Sequence, residues 1–453
     1  MSCSCNEFSR ASLFRRSVAE AGRGLPAIEP GMPLPAGSGL DRRSFLARTA
    51  GLALAVYGAG KLPLGLFDEG IARAQSAGGP ILVSVFLEGG ADSLSMLFPA
   101  GNTRYHQLRP TLALQPNEGS PFSEDARLRW HPSLAPLAEL HDEGKVTVLP
   151  AVGYTNADQS HFTSRHYWEV GATDAHLRTG WLGRYLDVAG AMDNPLQGLA
   201  LSSSLHPALA SANVPVACVS RIDEYDFWAA GVWGPVQQRM LDALGTFPPG
   251  SSAATRKAAE VTTQVARLRG QLLPFDGGNW GSPVPYPPGR NAFPARLAGL
   301  AAIIAAGLPL RCVSVNAPGM YDTHADQAGE LTDSLALTAN TLRAFQRDLE
   351  ARGIADRVLV HVWSEFGRRG EENGSDGTDH GAAGIGLLIG SRVRGQMLGE
   401  FPGLETGLDN DGNLMATFDY RTLYCSLLEQ WFATDAAQII PNAAGFPRVP
   451  LLR

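Results

Sequence analysis

Cysteine is scarce in this chain, and the few cysteines are widely spaced. Of five in 453 residues, Cys3 and Cys5 lie near the amino terminus, and Cys218, Cys312 and Cys425 lie far apart. This odd, dispersed set excludes a disulfide-stabilised scaffold, and no Cys-x-x-Cys pair is present for a structural zinc site. Cys312 and Cys425 lie in apolar sequence, which predicts buried and unreactive thiols.

Long hydrophobic runs and an excess of positive charge are also lacking. The mostly apolar stretch from Thr49 to Gly60 ends at Lys61, which leaves it too short to span a bilayer stably. The net charge of −7 at pH 7 argues against nucleic acid and anionic membranes as partners. Because 44% of the residues are apolar and 18% are charged, the composition is that of a folded protein with a large core.

The amino terminus has the pattern of an export signal. The run Asp41-Arg42-Arg43-Ser44-Phe45-Leu46 is a twin-arginine pattern, and Ala72-Arg73-Ala74 is a small-x-small cleavage site. We therefore predict a twin-arginine targeting segment over 1–74, a single mature domain over 75–453, and a periplasmic or secreted protein delivered by the twin-arginine export machinery. Removal of the segment leaves 28 Lys and Arg against 38 Asp and Glu.

Apolar runs and helical patterns alternate from Gly78 onward, which predicts an α/β fold with a doubly wound, mostly parallel sheet flanked by helices. Short apolar runs predict strands over Ile81–Leu87, Val146–Ala151, Ala200–Ser202, Pro215–Ser220, Cys312–Asn316, Arg357–Ser364 and Ile385–Ile389. Apolar spacing predicts helices over Pro132–Glu143, Thr163–Glu169, Ala254–Leu272, Arg296–Ala306, Leu331–Arg352 and Tyr420–Phe432. The Gly- and Pro-rich stretch Leu273–Arg290 is predicted to be a loop.

Polar side chains follow several of the predicted strands. Asp92 comes after Ile81–Leu87 in the run Glu88-Gly89-Gly90-Ala91-Asp92, and His161 lies in a loop that follows Val146–Ala151 and runs into a helix. The carboxyl ends of strands are where α/β proteins hold ligands. Arg165 in the same helix suits a bidentate contact with a phosphoryl or carboxylate group. Ser160 precedes that helix, where it could cap the helix or face an oxyanion.

Three further groups of candidate ligands lie beside the later predicted strands. Asp322 and His324 come directly after Cys312–Asn316 and could both turn toward one cation. Glu365 ends the next strand and would be an oxygen ligand or an ion-pair partner of Arg368. Asp379 and His380 would be a ligand with its orienting carboxylate.

Together these positions make the inventory of a two-metal site, in which two cations about 4 Å apart hold the attacking and leaving oxygens of a displacement. The predicted metal ligands are Asp92, Asp322, His324, Glu365, Asp379 and His380. The predicted catalytic residues are Ser160, His161 and Arg165. Zinc, manganese, calcium and iron all suit this donor set, and up to two divalent ions are predicted.

The combination of motifs resembles the exported bacterial family called domain of unknown function 1501, over Gly78 to Phe432. The residues that carry the resemblance are the twin-arginine leader, Phe86–Leu94, Ser160–Phe162, Tyr321–His324, Ser364–Arg368, Gly377–Gly381 and Asp419–Arg421. This family is placed in the alkaline phosphatase and sulfatase superfamily. The resemblance implies an alkaline phosphatase-like fold with a metal cleft at the carboxyl ends of the strands.

The resemblance also implies roles for single residues. Asp92 is similar to the first-strand metal aspartate, and Asp322 with His324 to the mid-chain pair. Glu365 stands where the late Asp-His pair of phosphatases begins, but Phe366 replaces the histidine. His380 would be the last metal histidine.

The nucleophile departs from the superfamily pattern. The run His161-Phe162-Thr163-Ser164-Arg165 has the spacing of the sulfatase Cys-x-Pro-Ser-Arg signature, with histidine at the nucleophile position and no proline. Ser160, Ser93 and Thr163 are alternatives, as is a water molecule. Formylglycine cannot form here, which disfavours ordinary sulfatase chemistry.

We therefore expect an exported metal-dependent hydrolase of phosphate or related esters, acting on a small-molecule or polymer substrate. Arg165 or Arg368 would hold the non-bridging oxygens. The rival expectation is a binding or assembly protein that keeps the fold and has lost catalysis.

Overall fold

The computed structural model describes residues 78–225, 239 and 253–453, together with Val56–Tyr57. Except for Val56–Tyr57, the predicted targeting segment lies outside the described residues, so it stays a prediction. The chain divides into two compact units. The described residues of one unit fall in the ranges Met1–Ile81, Thr173–Gly281 and Gly299–Val315, and those of the other fall in Leu82–Ala172, Ser282–Ala298 and Asn316–Arg453. The prediction of one mature domain over 75–453 stays a prediction.

The second unit is built around buried strands. Its main strands are Ile81–Phe86 (β1, from Leu82 onward), Val146–Gly153 (β2), Val358–Trp363 (β6), Gly384–Ile389 (β7) and Phe418–Asp419 (β8). They lie in the order β1-β6-β7-β2-β8. β7 is antiparallel to both neighbours, β6 and β2, whereas β8 is parallel to β2. Every residue of β1, β2, β6 and β7 is buried, as expected for strands covered on both faces.

The first unit contains a smaller group of parallel strands. These are Gly198–Ala200 (β3), Val216–Cys218 (β4) and most of Cys312–Asn316 (β5). β3 pairs in parallel with both β4 and β5, with Leu199 opposite Ala217 and Val313. The short strand Val56–Tyr57 pairs antiparallel with β4.

Helices and short hairpins connect these strands. The α-helices are Ser93–Met96 (α1), Thr103–Leu108 (α2), Ala135–Asp142 (α3), His161–Val170 (α4), Trp181–Ala189 (α5), Ala253–Leu272 (α6), Ala292–Ala305 (α7), Gln327–Ala351 (α8) and Tyr420–Gln430 (α9). Shorter strands are Leu97–Phe98, Ser120–Pro121, Arg129–Trp130, Arg368–Glu372 and Thr378–His380. Short 3-10 helices are Pro132–Leu134, Pro195–Gln197, Pro207–Leu209, Ile222–Glu224, Leu273–Phe275, Ala355–Arg357, Ala436–Gln438 and Ala443–Gly445. The predicted α/β class with a mostly parallel sheet flanked by helices is confirmed.

The long predicted elements agree with the structure within a few residues. β5 has the predicted bounds, and α6 begins one residue before the predicted start. α8 begins at Gln327, four residues before the predicted start at Leu331. The prediction missed the first turn because that turn is mostly polar and carries no apolar periodicity. The short helices α1, α2 and α5 and the strand β8 were not predicted, since such short elements depend on tertiary contacts. Leu273–Arg290 is a loop, apart from Leu273–Phe275.

Cys218, Cys312 and Cys425 are buried, and no disulfide joins them to one another within the described residues. Burial raises the pKa of the Cys312 thiol far above its ordinary value, and burial raises the pKa of Cys425 to about 11. The prediction that these two thiols are buried is confirmed, and the raised pKa values agree with low reactivity. In the part of the chain that the structure describes, none of the helices combines the length and apolar character needed to cross a bilayer.

Candidate metal site

Three side chains from distant parts of the sequence converge in the second unit. His161 is the first residue of α4, Asp322 follows β5, and His380 ends the strand Thr378–His380. The two Nε2 atoms of His161 and His380 lie 3.0 Å apart. Oδ1 of Asp322 lies 3.5 Å from His161 Nε2 and 3.3 Å from His380 Nε2. We refer to His161, Asp322 and His380 as the central triad.

The other nitrogen of each triad histidine has an acceptor. His161 Nδ1 lies 2.7 Å from Glu365 Oε1, and His380 Nδ1 lies 2.9 Å from the carbonyl oxygen of Gln159. A carboxylate or a carbonyl oxygen can only accept, so each Nδ1 carries the hydrogen. In the neutral ring the lone pair is then on Nε2, which faces the rest of the triad. This is the orientation of metal-ligating histidines, whose second nitrogen donates to a carboxylate or carbonyl.

The donor set fits a divalent cation. Ligand atoms of a tetrahedral zinc site are separated by about 3.3 Å, since each lies about 2.0–2.1 Å from the ion. The three separations within the triad lie between 3.0 and 3.5 Å. Two imidazole nitrogens and one carboxylate oxygen suit zinc, manganese or iron, and three protein ligands leave a position open, as in catalytic sites.

His324 lies beside the triad. Its Nε2 is 3.0 Å from His380 Nε2 and 2.9 Å from Asp322 Oδ1. Its Nδ1 is 3.2 Å from Asp379 Oδ1. His324 therefore repeats the pattern of the triad histidines and is a further donor next to Asp322. The half-exposed Asp379 contacts the ring from behind, where it orients His324.

Glu365 is fully buried and faces His161. Its Oε1 accepts from His161 Nδ1 and from the backbone N–H of Gly89 at 3.1 Å, and its Oε2 accepts from the N–H of Gly90 at 3.1 Å. Burial alone would raise the pKa of Glu365, but the hydrogen bond and charge of His161 hold it below its ordinary value. The predicted metal ligand is therefore placed as the group that orients His161.

Hydrogen bonds tune the ionisation of the triad. Burial opposes ionisation of Asp322, but hydrogen bonds from His161, His324 and His380 bring its pKa well below the ordinary value. Burial lowers the pKa of His161, and hydrogen bonds to Asp322 and Glu365 raise it above its ordinary value. Burial keeps the pKa of His380 below its ordinary value. Asp322 is thus a carboxylate at neutral pH.

The two glycines after β1 are required by this arrangement. Gly89 has φ +121°, and a Cβ there would lie 2.4 Å from the backbone nitrogen of Asp322. Gly90 has φ +76°, and a Cβ there would lie 2.3 Å from the ring of Phe366. Phe366 in turn packs against both triad rings, with centroids 4.8 Å from His161 and 4.9 Å from His380. Only glycine allows this turn to approach the site so closely.

Asp92 is engaged elsewhere. Arg109 holds it in a buried bidentate pair, with Nη1–Oδ2 at 2.5 Å and Nη2–Oδ1 at 3.0 Å. Ser95 and Gln327 also donate to Oδ2, at 2.7 and 2.6 Å. The predicted first-strand metal ligand thus has both oxygens occupied by protein donors and is not part of the triad. Arg109 lies 17 residues along the chain, and no local pattern marked it as the partner.

Arg165 is also engaged within the protein. Its Nη1 lies 3.0 Å from Glu88 Oε1 and its Nε lies 2.8 Å from Glu169 Oε1. Its guanidinium carbon lies 4.6 Å from the centroid of the Phe86 ring. These contacts place the predicted anion-binding arginine in a structural ion-pair group.

Arg368 is fully buried and joins three loops. Its Nε donates to the carbonyl of Gly90 at 2.7 Å, its Nη1 to the carbonyl of Thr378 at 2.8 Å, and its Nη2 to Asp322 Oδ1 at 2.5 Å. Nη2 also contacts the carbonyls of Gly89 and Tyr321. The side chain therefore stabilises the charge of Asp322 and fixes the turn after β1.

Ser160 immediately precedes His161 as the N-cap residue of α4, and its side chain makes no capping hydrogen bond. Its backbone N–H donates to Asp158 Oδ1 at 2.8 Å. Ser164, one turn further, donates to the carbonyl of Glu365 at 2.6 Å and contacts the Tyr154 hydroxyl at 2.9 Å. Sequence reasoning assigned no role to Ser164 or Tyr154.

A family model described as "Protein of unknown function (DUF1501)" matches residues 160–441, which is more than half of the chain. The chain belongs to the DUF1501 family. The matched part of this DUF1501 protein includes the central triad and His324. Comparison with curated proteins finds no match.

Several solved structures resemble this DUF1501 protein at low identity. A protein in the alkaline phosphatase superfamily from Vibrio parahaemolyticus is 8% identical with a TM-score of 0.37, and the match covers 91% of this chain and 81% of that one. The lipoteichoic acid synthase LtaP from Listeria monocytogenes is 9% identical, with a TM-score of 0.33 and coverage of 81% and 74%. The PsFucS1 sulfatase from Pseudoalteromonas sp. is 11% identical, with a TM-score of 0.34 and coverage of 81% and 72%. At such identities the function must be argued from the residues of this chain.

Proposed function

We propose that this DUF1501 protein is an exported metal-dependent hydrolase of phosphate or related esters. The observation that carries the proposal is the convergence of two histidine Nε2 atoms and an Asp322 oxygen within 3.0–3.5 Å of one another. Both histidines are oriented through Nδ1 by an acceptor, which is how proteins prepare imidazole as a ligand. His324 supplies a further donor beside Asp322.

We propose one divalent cation rather than two. Asp92 and Glu365, which a second site would need, are already hydrogen-bonded to protein groups.

Such a cation supplies Lewis acidity to an ester oxygen and lowers the pKa of a hydroxyl or water nucleophile. The residues of the chain would hold this cation and orient its ligands. Glu365 keeps the hydrogen on His161 Nδ1, Arg368 stabilises Asp322 as a carboxylate, and Phe366 shields the triad rings from water. Ser160 is the candidate nucleophilic hydroxyl, because it adjoins His161 and its side chain is free of a capping role. A water nucleophile is the alternative.

Hydrolysis tests the proposal directly. The purified protein is assayed against 4-nitrophenyl phosphate, bis(4-nitrophenyl) phosphate, 4-nitrophenyl sulfate and a phosphonate monoester, with and without EDTA. Hydrolysis of at least one ester should be lost in EDTA and in Asp322→Asn. Asp348→Asn is the matched control, because Asp348 is also buried and hydrogen-bonded but lies on α8 with Ser282 and Tyr286 as partners. Activity that survives both EDTA and Asp322→Asn would contradict the proposal.

A binding or assembly protein without catalysis is the second candidate function. It is favoured by the engagement of Arg165 and Arg368 with protein groups, since those were the side chains expected to hold substrate oxygens. Stoichiometric metal without hydrolysis of any of the four esters would support it. Export is proposed from the sequence alone: replacing Arg42 and Arg43 by Lys should retain the protein in the cytoplasm, as fractionation would show.

A further inference from the structure

Gln327 is a buried amide, 1% exposed, at the first position of α8. Its Nε2 lies 2.6 Å from Asp92 Oδ2 and 3.3 Å from Ser95 Oγ. Its Oε1 accepts from the hydroxyls of Thr323 at 2.9 Å and Thr378 at 2.6 Å. The orientation of the Gln327 amide follows from its partners, since the Asp92 carboxylate can only accept a hydrogen bond and must face the amide nitrogen.

The two threonines belong to the segments that carry the donors of the site. Thr323 lies between Asp322 and His324, and Thr378 lies two residues before His380. The backbone N–H of Thr378 also donates to the carbonyl of Thr323 at 3.0 Å. Gln327 therefore holds, through two hydroxyls, the segments on which three donor residues lie.

The other side of the amide rests on a rigid base. Asp92 is paired with Arg109, whose Nε and Nη2 donate to the carbonyls of Gly370 at 3.0 Å and Arg369 at 2.9 Å. Asp92 and Arg109 are both fully buried as side chains. A buried polar network in which every member has its partners rigidifies the surrounding structure.

We propose that Gln327 is a positioning residue that maintains the separation between Asp322, His324 and His380 required for binding the cation. The inference rests on the proposed metal site, and it assigns to the Asp92–Arg109 pair the role of supporting Gln327. Gln327 contacts neither the cation site nor any reacting atom directly. It acts through the hydroxyls of Thr323 and Thr378.

The test compares two buried glutamines on the same helix. Gln327→Leu is the variant, and Gln346→Leu is its control, because Gln346 is also 1% exposed and donates to Glu350 at 2.8 Å and to Ser391 at 3.0 Å. Co²⁺ is added to the metal-free protein, and its affinity is measured by competition with a chromophoric chelator. The absorption spectrum of bound Co²⁺ reports ligand geometry.

We expect Gln327→Leu to weaken Co²⁺ binding by about tenfold or more and to change the Co²⁺ spectrum, as loss of an outer supporting group does. Gln346→Leu should keep the affinity and spectrum of the wild type even if it unfolds more easily. Wild-type affinity and spectrum in Gln327→Leu would overturn the inference. No Co²⁺ binding by the wild-type protein would instead contradict the proposed function.

A milder pair of variants applies if Gln327→Leu does not fold. Thr323→Val removes only the hydroxyl that donates to Gln327 Oε1, and Thr323→Ser restores it. Weaker binding in Thr323→Val with recovery in Thr323→Ser supports the positioning role. A Thr323→Val variant that binds Co²⁺ with the affinity and spectrum of the wild type, or a Thr323→Ser variant that recovers neither, overturns it.

Discussion

Breaking the buried pair of Asp92 and Arg109 should destabilise the protein strongly. Arg109→Leu leaves the Asp92 carboxylate in a site where neither side chain is exposed. The Asp92 carboxylate then loses the hydrogen bonds that Arg109 donates to both of its oxygens. It keeps the hydrogen bonds that Ser95 and Gln327 donate to Oδ2. Removing one partner of a buried ion pair costs about 3–5 kcal/mol, because an uncompensated charge remains buried. We therefore expect a loss of about that size in the free energy of unfolding.

Urea denaturation followed by tryptophan fluorescence measures this loss. Arg127→Leu is the control, since Arg127 pairs with Asp125 at 2.6 Å but its side chain is 58% exposed. Exposed pairs contribute about 0–1 kcal/mol. Adding Asp92→Leu to Arg109→Leu should recover part of the loss, because the buried charge is removed. Equal small losses in Arg109→Leu and Arg127→Leu would refute the reasoning.

Two further predictions concern the turn after β1 and the buried strand β6. Gly90→Ala and its control Gly412→Ala both place alanine at positive φ, which costs about 1–2 kcal/mol. Only the new methyl group of Gly90→Ala meets another side chain, the ring of Phe366. Urea unfolding should therefore show that Gly90→Ala lowers the free energy of unfolding by about 1–3 kcal/mol more than Gly412→Ala does. Equal losses would contradict this. His361 is fully buried, its ring nitrogens have no hydrogen-bond partner within the described residues, and burial lowers its pKa to about 3 from an ordinary 6.5. As pH falls below 6.5, His361 is protonated in the unfolded chain but not in the folded protein, so the free energy of unfolding should decrease between pH 6.5 and about 3. His361→Phe should make this decrease with pH less steep in acid-unfolding curves. An unchanged slope would contradict the assignment.

The candidate ligands could be predicted from the sequence because polar residues lie near the ends of apolar runs. His161, Asp322 and His380 were all singled out in this way, and the structure brings them together. The carboxyl ends of strands are where α/β sheets hold ligands, but His380 itself lies on the short strand Thr378–His380, which pairs antiparallel with Arg368–Glu372. The role of each residue was harder to infer than its presence in the site.

Asp92 and Glu365 show why. Both are carboxylates at strand ends, and the sequence treats them alike. Asp92 meets Arg109, and Glu365 meets His161 Nδ1 and the N–H groups of Gly89 and Gly90. These partners are 17 to 276 residues away in the chain, so local spacing could not distinguish a metal ligand from a carboxylate that orients another side chain.

The same reasoning applies to Arg165. A lone arginine next to a candidate site suits a substrate anion, and its pairing with Glu88 and Glu169 could not be inferred without the fold. Gln327 and Thr378 were assigned no role for a different reason. Amide and hydroxyl side chains in polar stretches are common, and their importance here lies in the hydrogen bonds that link them.

Elemental analysis of the protein, purified without added metal, tests the central claim most directly. We expect close to one divalent metal ion per chain in the wild type and in Asp348→Asn. We expect almost none in Asp322→Asn, because that variant loses the negatively charged oxygen that faces the nitrogen atoms of His161 and His380. Absence of metal from the wild type, or equal metal in Asp322→Asn and wild type, would contradict the claim that the central triad binds a cation.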